Sequence, residues 1–383
     1  MPTVFDYLDW RGDLSFEVSP PNEVDVMILS QIVYLDLDSE IPEEGGAVTL
    51  RTAMRSFVRR NQGKRLYLGR ILPPEMVHLA VRAAKTARFG AIELRSFVNR
   101  IRQGREQSQF CAMTATLCEN LHMLIYRGTD DTLVGWKENF NMSFMMPVPA
   151  QIEAELYFRR MAEECEGELI LCGHSKGGNL AVYAAVEAEE QYGDRVRAVY
   201  NLDGPGFDLR FIGSDSYAAL RDRIYTLLPQ SSVVGMLLEH EERYEVVKSN
   251  ASGLLQHSGF TWEALGAGFI RLDEVSEESR RIDRSLKLWL SGMSPAERER
   301  VVDSIYEILS ASGAKTLTDI SADKVRLAKA WNTLDAQSRS VILKCLSLLI
   351  KQPQRKKAGA KQAKSRQSTA VVKVMRRPQR GAK

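Results

Sequence analysis

Ser175 sits in Gly173-His174-Ser175-Lys176-Gly177, a Gly-x-Ser-x-Gly spacing that follows the apolar run Leu169-Ile170-Leu171-Cys172 and precedes an Ala-rich stretch of helical character. A serine hydroxyl becomes a working nucleophile when a sharp strand-to-helix turn lifts it above a sheet, within reach of a base. That turn crowds the backbone, so glycine is needed two residues to either side. The start of the following helix lends positive potential where an oxyanion would form during attack on an acyl carbon. Gly178 adds a further small residue for close approach of helix and strand. The tetrahedral intermediate of such a reaction needs two N–H donors. The amide of Lys176, the residue after the nucleophile, would supply one. A loop after an earlier strand would supply the other, and Arg127-Gly128-Thr129 occupies that place after Leu121–Tyr126.

Removing the hydroxyl proton calls for an imidazole. The chain has five histidines. His78 and His122 precede the nucleophile, and His122 falls inside an apolar, strand-like run. His174 adjoins Ser175, where neighbouring side chains at a sharp turn point apart. The base in this arrangement follows the serine and the acid along the chain, which leaves His240 and His257. His240 lies in the charged run Leu238-Glu239-His240-Glu241-Glu242-Arg243, which reads as solvated surface. His257 lies in the loop Leu255-Gln256-His257-Ser258-Gly259-Phe260, after the last strand-like segment, and is the expected base.

These side chains need a scaffold. Strand-like segments at 121–126, 168–172, 196–202, 224–228 and 244–247 alternate with helical ones at 150–165 and 179–192. Such alternation predicts a mostly parallel sheet covered by helices on both faces, with its site at the carboxyl ends of the strands. Upstream, Asn22 can cap a helix carrying Val24, Met27, Ile28, Ile32 and Val33. The segment 41–75, with Gly45-Gly46 and many arginines, reads as less regular. Pro73-Pro74 begins a helix through about Ala87, and strands follow near 91–98 and 113–117. Beyond about Leu272 only helices are expected, at 277–290, 295–309, 322–331 and 336–350, the second opened by the capping box Ser294-Pro295-Ala296-Glu297. The expected organisation is an α/β domain over 1–272, a helical appendage over 273–350 and a disordered basic tail over 351–383.

Tyr126-Arg127-Gly128-Thr129, Trp136 downstream, and Gly173-His174-Ser175-Lys176-Gly177-Gly178 resemble the class 3 (triacylglycerol) lipases of the α/β-hydrolase superfamily. Asp203-Gly204-Pro205-Gly206 resembles the small-residue and proline turn after their next strand. Phe5-Asp6-Tyr7-Leu8, Asn22-Glu23-Val24-Asp25, Ser231-Ser232-Val233-Val234-Gly235-Met236-Leu237-Leu238 and Gln256-His257 look like the signatures of a bacterial family of hydrolase-like proteins with no assigned function. This closer resemblance covers about residues 3–270. It implies an α/β-hydrolase fold, and the likeness to the lipases implies Thr129 as the second oxyanion donor. In those lipases the acid follows the strand after the Gly/Pro turn. The corresponding place here, Leu228-Pro229-Gln230-Ser231-Ser232, contains no carboxylate. Asp203, which ends the preceding strand on the same sheet edge, is the natural substitute. Asp208 and Glu239 are alternatives, as is a dyad of Ser175 and His257 with Ser232 orienting the imidazole.

The reading that follows is a serine esterase or lipase-like acyl hydrolase acting on an ester or thioester. Ser175, His257 and Asp203 are its catalytic groups, and the amides of Thr129 and Lys176 its oxyanion donors. The alternative is a hydrolase-fold binding or scaffold protein that has lost activity. Val233–Leu238 and Phe144-Met145-Met146 would line an acyl pocket, form a lid or pack internally.

Bulk properties narrow the setting. Of 52 Lys and Arg residues, 12 fall in 351–383, which has no Asp or Glu; the other 350 residues carry 40 basic against 49 acidic groups. The basic tail suits an anionic partner, nucleic acid or a membrane surface, or serves only as a solubilising end. The N-terminus does not read as a secretory signal, and no apolar run approaches the roughly 18–20 residues of a membrane span. Five cysteines without Cys-x-x-Cys spacing suit a reducing cytoplasm. Nothing resembles a metal site, a dinucleotide fingerprint or a phosphate loop, so no cofactor is expected.

Overall fold

The computed structural model describes residues 1–62, 75–102, 108–130, 132–142 and 144–281, with 284, 293–294, 296–300, 302–303 and 306. The chain opens with α1 (Val4–Arg11), α2 (Glu23–Ile32), β1 (Val48–Thr49), α3 (Leu50–Arg60), α4 (Glu75–Ala83) and the single turn α5 (Ala87–Gly90). There follow β2 (Glu93–Arg102), β3 (Ser108–Cys118), β4 (Leu121–Tyr126), α6 (Leu133–Asn141), α7 (Pro149–Glu164), β5 (Glu168–His174) and α8 (Lys176–Glu187). β6 (Val196–Leu202), β7 (Ile224–Pro229) and β8 (Tyr244–Val247) come next, then the small hairpin β9 (Ala264–Leu265) and β10 (Gly268–Phe269), and last β11 (Arg271–Leu272).

One sheet runs in the order β1-β2-β3-β4-β5-β6-β7-β8-β11. Strands β4 to β8 are parallel, and both wings are antiparallel. The connections dictate this. Only Glu119-Asn120 separates β3 from β4, and a two-residue link returns the chain antiparallel, whereas a helical crossover keeps it parallel. Within β5, Leu169 and Leu171 join the core that contains α7 and α8, while Ile170 and Cys172 join the core that contains α1 and α2. Burial on both faces is why this strand reads as an unbroken apolar run.

The arginine-rich stretch expected to be irregular instead forms α3. Leu50, Ala53, Met54 and Phe57 recur at helical spacing and are buried, and the arginines lie between them. Thr49 caps this helix, accepting from the Thr52 amide at 3.2 Å. α4 stops at Ala83, short of the expected Ala87, because Thr86 starts a new turn by accepting from the Phe89 amide at 3.1 Å. Pro73-Pro74, the helices expected at 322–331 and 336–350, and the tail 351–383 lie outside the described residues.

The N-terminal signature residues have a structural reason. Arg88 and Asp25, both with fully buried side chains, pair through Nε–Oδ1 at 2.7 Å and Nη2–Oδ2 at 2.5 Å. Arg88 also donates to the carbonyls of Leu14, Ser19 and Pro20, and the Tyr7 hydroxyl donates to Asp25 Oδ1 at 2.8 Å. Asp25 in turn closes a capping box with Asn22 at the start of α2.

The chain divides into two units, Met1–Ile342 and Leu343–Lys383, and every described residue belongs to the first. After β11 the described chain stays tied to the sheet edge: the Ser276 amide donates to the Gln230 carbonyl at 2.6 Å, and Val275 and Ser279 are buried. Among the described residues no helix is long and apolar enough to cross a membrane.

Candidate active site

Strand register brings the site together. Tyr126 lies opposite Gly173, His174 opposite Leu202, Leu202 opposite Leu227 and Pro229 opposite Val247, so the parallel strands end along one edge. Residues 127–129, 175, 203 and the loops after β7 and β8 all leave that edge. Ser175 has φ 59° and ψ −135°, and its amide donates to the Leu202 carbonyl at 2.9 Å. A Cβ on Gly177 would lie 2.1 Å from the Tyr126 carbonyl oxygen, and one on Gly173 would lie 2.2 Å from the Gly177 carbonyl carbon. The turn therefore accepts only glycine at both places. Gly128 comes equally close from the other side: its Cβ would meet the Tyr34 hydroxyl at 2.2 Å and Ser175 Cβ at 3.0 Å. The loop after β4 is thus seated against the serine.

Asp203 and His257 meet across 54 residues of chain. His257 Nδ1 donates to Asp203 Oδ2 at 2.6 Å, and Asp203 is fully buried. Its other oxygen accepts from the Ser232 hydroxyl at 2.5 Å and the Gly235 amide at 3.2 Å. Ser232 therefore orients the carboxylate, not the imidazole. The stretch 230–238 after β7 carries no carboxylate, but its Ser232 and Gly235 supply two donors to the Asp203 carboxylate that follows β6. Among the described residues five non-glycine residues have positive φ; Ser175, Asp203 (53°) and Leu238 (64°) are three of them, so backbone strain gathers at this edge. Of the alternatives, Asp208 caps the short helix Leu209–Ile212, and Glu239 pairs its backbone with that of Phe207.

His174 does more than the sequence suggested. Its Nε2 donates to the His257 carbonyl at 2.7 Å, with the two rings 4.6 Å apart. Tyr34, 3.4 Å from its Nδ1, donates there. Burial, helped by the charge of His257, pushes the His174 imidazole down to about 3, so it stays neutral as a one-proton donor. An x position in a turn motif gives no sequence signal for this role.

On the oxyanion side, Thr129 Oγ1 donates to Asn139 Oδ1 at 2.8 Å. The Lys176 ammonium is buried, 2.7 Å from Glu138 Oε2 and 2.7 Å from the Gln109 carbonyl. Glu138 also accepts from the amides of Gln109 and Ala150. Successive residues of α6 thus hold both expected donor residues, a pairing invisible in the sequence because the partners lie 10 and 38 positions apart. Arg127 is buried and donates to Asn99 Oδ1 at 2.9 Å.

His240 departs from expectation. It is not solvated: its side chain is 6% exposed, with Nδ1 3.0 Å from Glu242 Oε1 and Nε2 2.7 Å from the Gly235 carbonyl. An alternation of charged residues hid the inward-facing pair. His122 is a sheet residue between Thr116 Oγ1 and the Glu166 carbonyl, as its place in a strand predicts, and His78 packs against Phe5. On the segments that follow β4, β6, β7 and β8, Phe140, Met145, Leu209 and Leu255 are exposed, and Phe144, Val233, Val234, Met236 and Leu237 are half-buried.

A two-sided α/β sheet with a strained serine elbow after its central parallel strand defines the α/β-hydrolase class. Within it, the chain belongs to the Mbeg1-like family, whose profile matches residues 83–307. Among solved structures it is similar to a mutant form of MDLA from Penicillium cyclopium, at 9% identity and a TM-score of 0.37 over 66% of this chain and 87% of that one. It is also similar to a lipase from Rhizopus microsporus var. chinensis, at 10% identity and a TM-score of 0.29 over 49% and 69%. At that identity the fold rests on the sheet topology itself. No curated protein matches the chain.

Proposed function

We propose that this protein is a serine hydrolase that cleaves carboxylic esters or thioesters through an acyl-enzyme. Ser175 Oγ attacks the acyl carbon and passes its proton to His257 Nε2. The imidazolium returns that proton to the departing alcohol or thiol. Water, deprotonated by the same ring, then releases the acid. Asp203 fixes the tautomer: with Nδ1–H on the carboxylate, Nε2 of the neutral ring is the free base. The Thr129 and Lys176 amides receive the oxyanion.

The observation that carries this reading is the 2.6 Å contact of His257 with Asp203, in a loop whose carbonyl is held by the residue next to Ser175. Exposed and half-buried apolar residues on the segments that follow the parallel strands favour an acyl chain over a charged substrate. The test is hydrolysis of p-nitrophenyl esters of increasing chain length. Turnover in the wild type should fall by on the order of 10⁴-fold or more in Ser175→Ala, with unfolding unchanged. Equal rates in the two proteins would refute the proposal.

A further inference from the structure

We infer that His240 is a positioning residue for the acid of this site, and that its pairing with Glu242 fixes the loop that stands where a carboxylate would otherwise follow β7. The inference rests on the reading of Asp203 as that acid. The Gly235 carbonyl can only accept, and so can the Glu242 carboxylate, so both ring nitrogens of His240 carry protons. The ring is an imidazolium beside a carboxylate. Burial alone would push the Glu242 carboxyl up, but hydrogen bonds from His240, Thr226 and Tyr217 hold it below the usual carboxylate range. Thr226, on β7, donates to Glu242 Oε1 at 2.5 Å, and the Tyr217 hydroxyl donates to Oε2. Glu242 is therefore a fixed post anchored to the sheet and to the helix Asp215–Leu220.

From that post the chain of contacts leads to the acid through one residue. Gly235 receives His240 at its carbonyl and donates its amide to Asp203 Oδ1. Its backbone comes so near that a Cβ there would lie 2.5 Å from Asp203 Oδ1 and 2.3 Å from Leu228 Cδ2. Between Ser232 and His240 only apolar residues, Gly235 and Glu239 occur. Backbone bonds tie Leu237 and Glu239 to Gly206 and Phe207, and Ser232 Oγ accepts from the Gly235 amide; His240 adds the contact that holds the Gly235 carbonyl on the other side. Loosening Gly235 takes a donor from a fully buried carboxylate and shifts the imidazole it aims.

Two variants separate positioning from packing. His240→Gln keeps an N–H where Nε2 reaches Gly235, whereas His240→Asn keeps one only on the Glu242 side; both lose the charge. The readouts are kcat and KM on a p-nitrophenyl ester, and the downfield proton NMR resonance of the His257 Nδ1–H, assigned by its loss in Asp203→Asn. His240→Asn should lower kcat on the order of 10- to 100-fold with KM little changed, and weaken that resonance. His240→Gln should restore most of both. Unchanged kcat and resonance in a folded His240→Asn, or equal damage in both variants, would overturn the inference. Should His240→Asn not fold, Thr226→Val, which alters no atom of the loop, carries the same test with a smaller loss expected. The resonance needs no turnover, so an inactive wild type that shows it would refute the hydrolase reading and leave the positioning role standing.

Discussion

Asp25 and Asp203 are both fully buried carboxylates paired with a nitrogen base, yet they are built for different ends. Asp25 lies in the regular first turn of α2, and its partner Arg88 is a permanent cation with a fully buried side chain. Every donor around it comes from a group that does not titrate near neutrality. Asp203 sits at a strand end with φ 53°, and its partner His257 keeps a 27% exposed side chain. A permanent, closed pair ties α1, α2, α5 and the 14–20 segment to one another. Under the proposed mechanism, the half-open pair on a strained backbone leaves His257 Nε2 to act as the base. Burial and ion pairing are common to both; backbone conformation and the exposure of the partner set them apart.

The sharpest way to break this comparison is to neutralise each carboxylate in turn. Asp203→Asn should reduce kcat by roughly 10⁴-fold, because the amide favours the wrong imidazole tautomer, while urea unfolding shifts little. Asp25→Asn should do the reverse, costing roughly 3–5 kcal/mol of stability by leaving Arg88 without its counter-charge, with kcat per folded molecule kept. If Asp203→Asn proved the more destabilising and turned over normally, the two roles would have to be exchanged. Next in size, Gly128→Ala should lower kcat by about 10²-fold, since its methyl would push against Tyr34 and Ser175; normal kinetics would mean that the loop after β4 does not set the serine's position.

The smallest effect concerns His174. Its folded value lies near 3, below the ordinary 6.5, so between those values the unfolded chain takes up a proton that the native ring refuses. That contribution is whole above pH 6.5 and is lost as the pH falls toward 3. His174→Gln keeps an N–H donor without titrating. Its unfolding free energy should therefore decline less steeply than the wild type's from pH 6.5 to 4. Parallel curves from urea titrations across that range would show that His174 is not the buried neutral group described.

What the sequence revealed and what it hid follow from the range of each signal. The elbow was legible because a strand, two obligatory glycines and a helix lie within twenty residues. Chain order singles out His257 and the end of β6 singles out Asp203, and the structure brings these two side chains into contact. α3 was missed although its buried residues follow helical spacing, because Gly45-Gly46 and the arginines masked the period. Contacts such as Lys176 with Glu138, Ser232 with Asp203 and His174 with the His257 carbonyl depend on sheet register between distant segments, and no local pattern encodes them. His240 was misread for the opposite reason: its neighbours are charged, and composition outweighed the inward turn that pairs it with Glu242.

The rate of labelling by a fluorophosphonate, followed by intact mass and located by peptide mapping, tests most directly whether the Asp203–His257 pair activates Ser175. The account predicts one adduct on Ser175 in the wild type, much slower addition in Asp203→Asn and none in Ser175→Ala. A folded wild type that stays unlabelled, or an Asp203→Asn variant labelled at the wild-type rate, would contradict it.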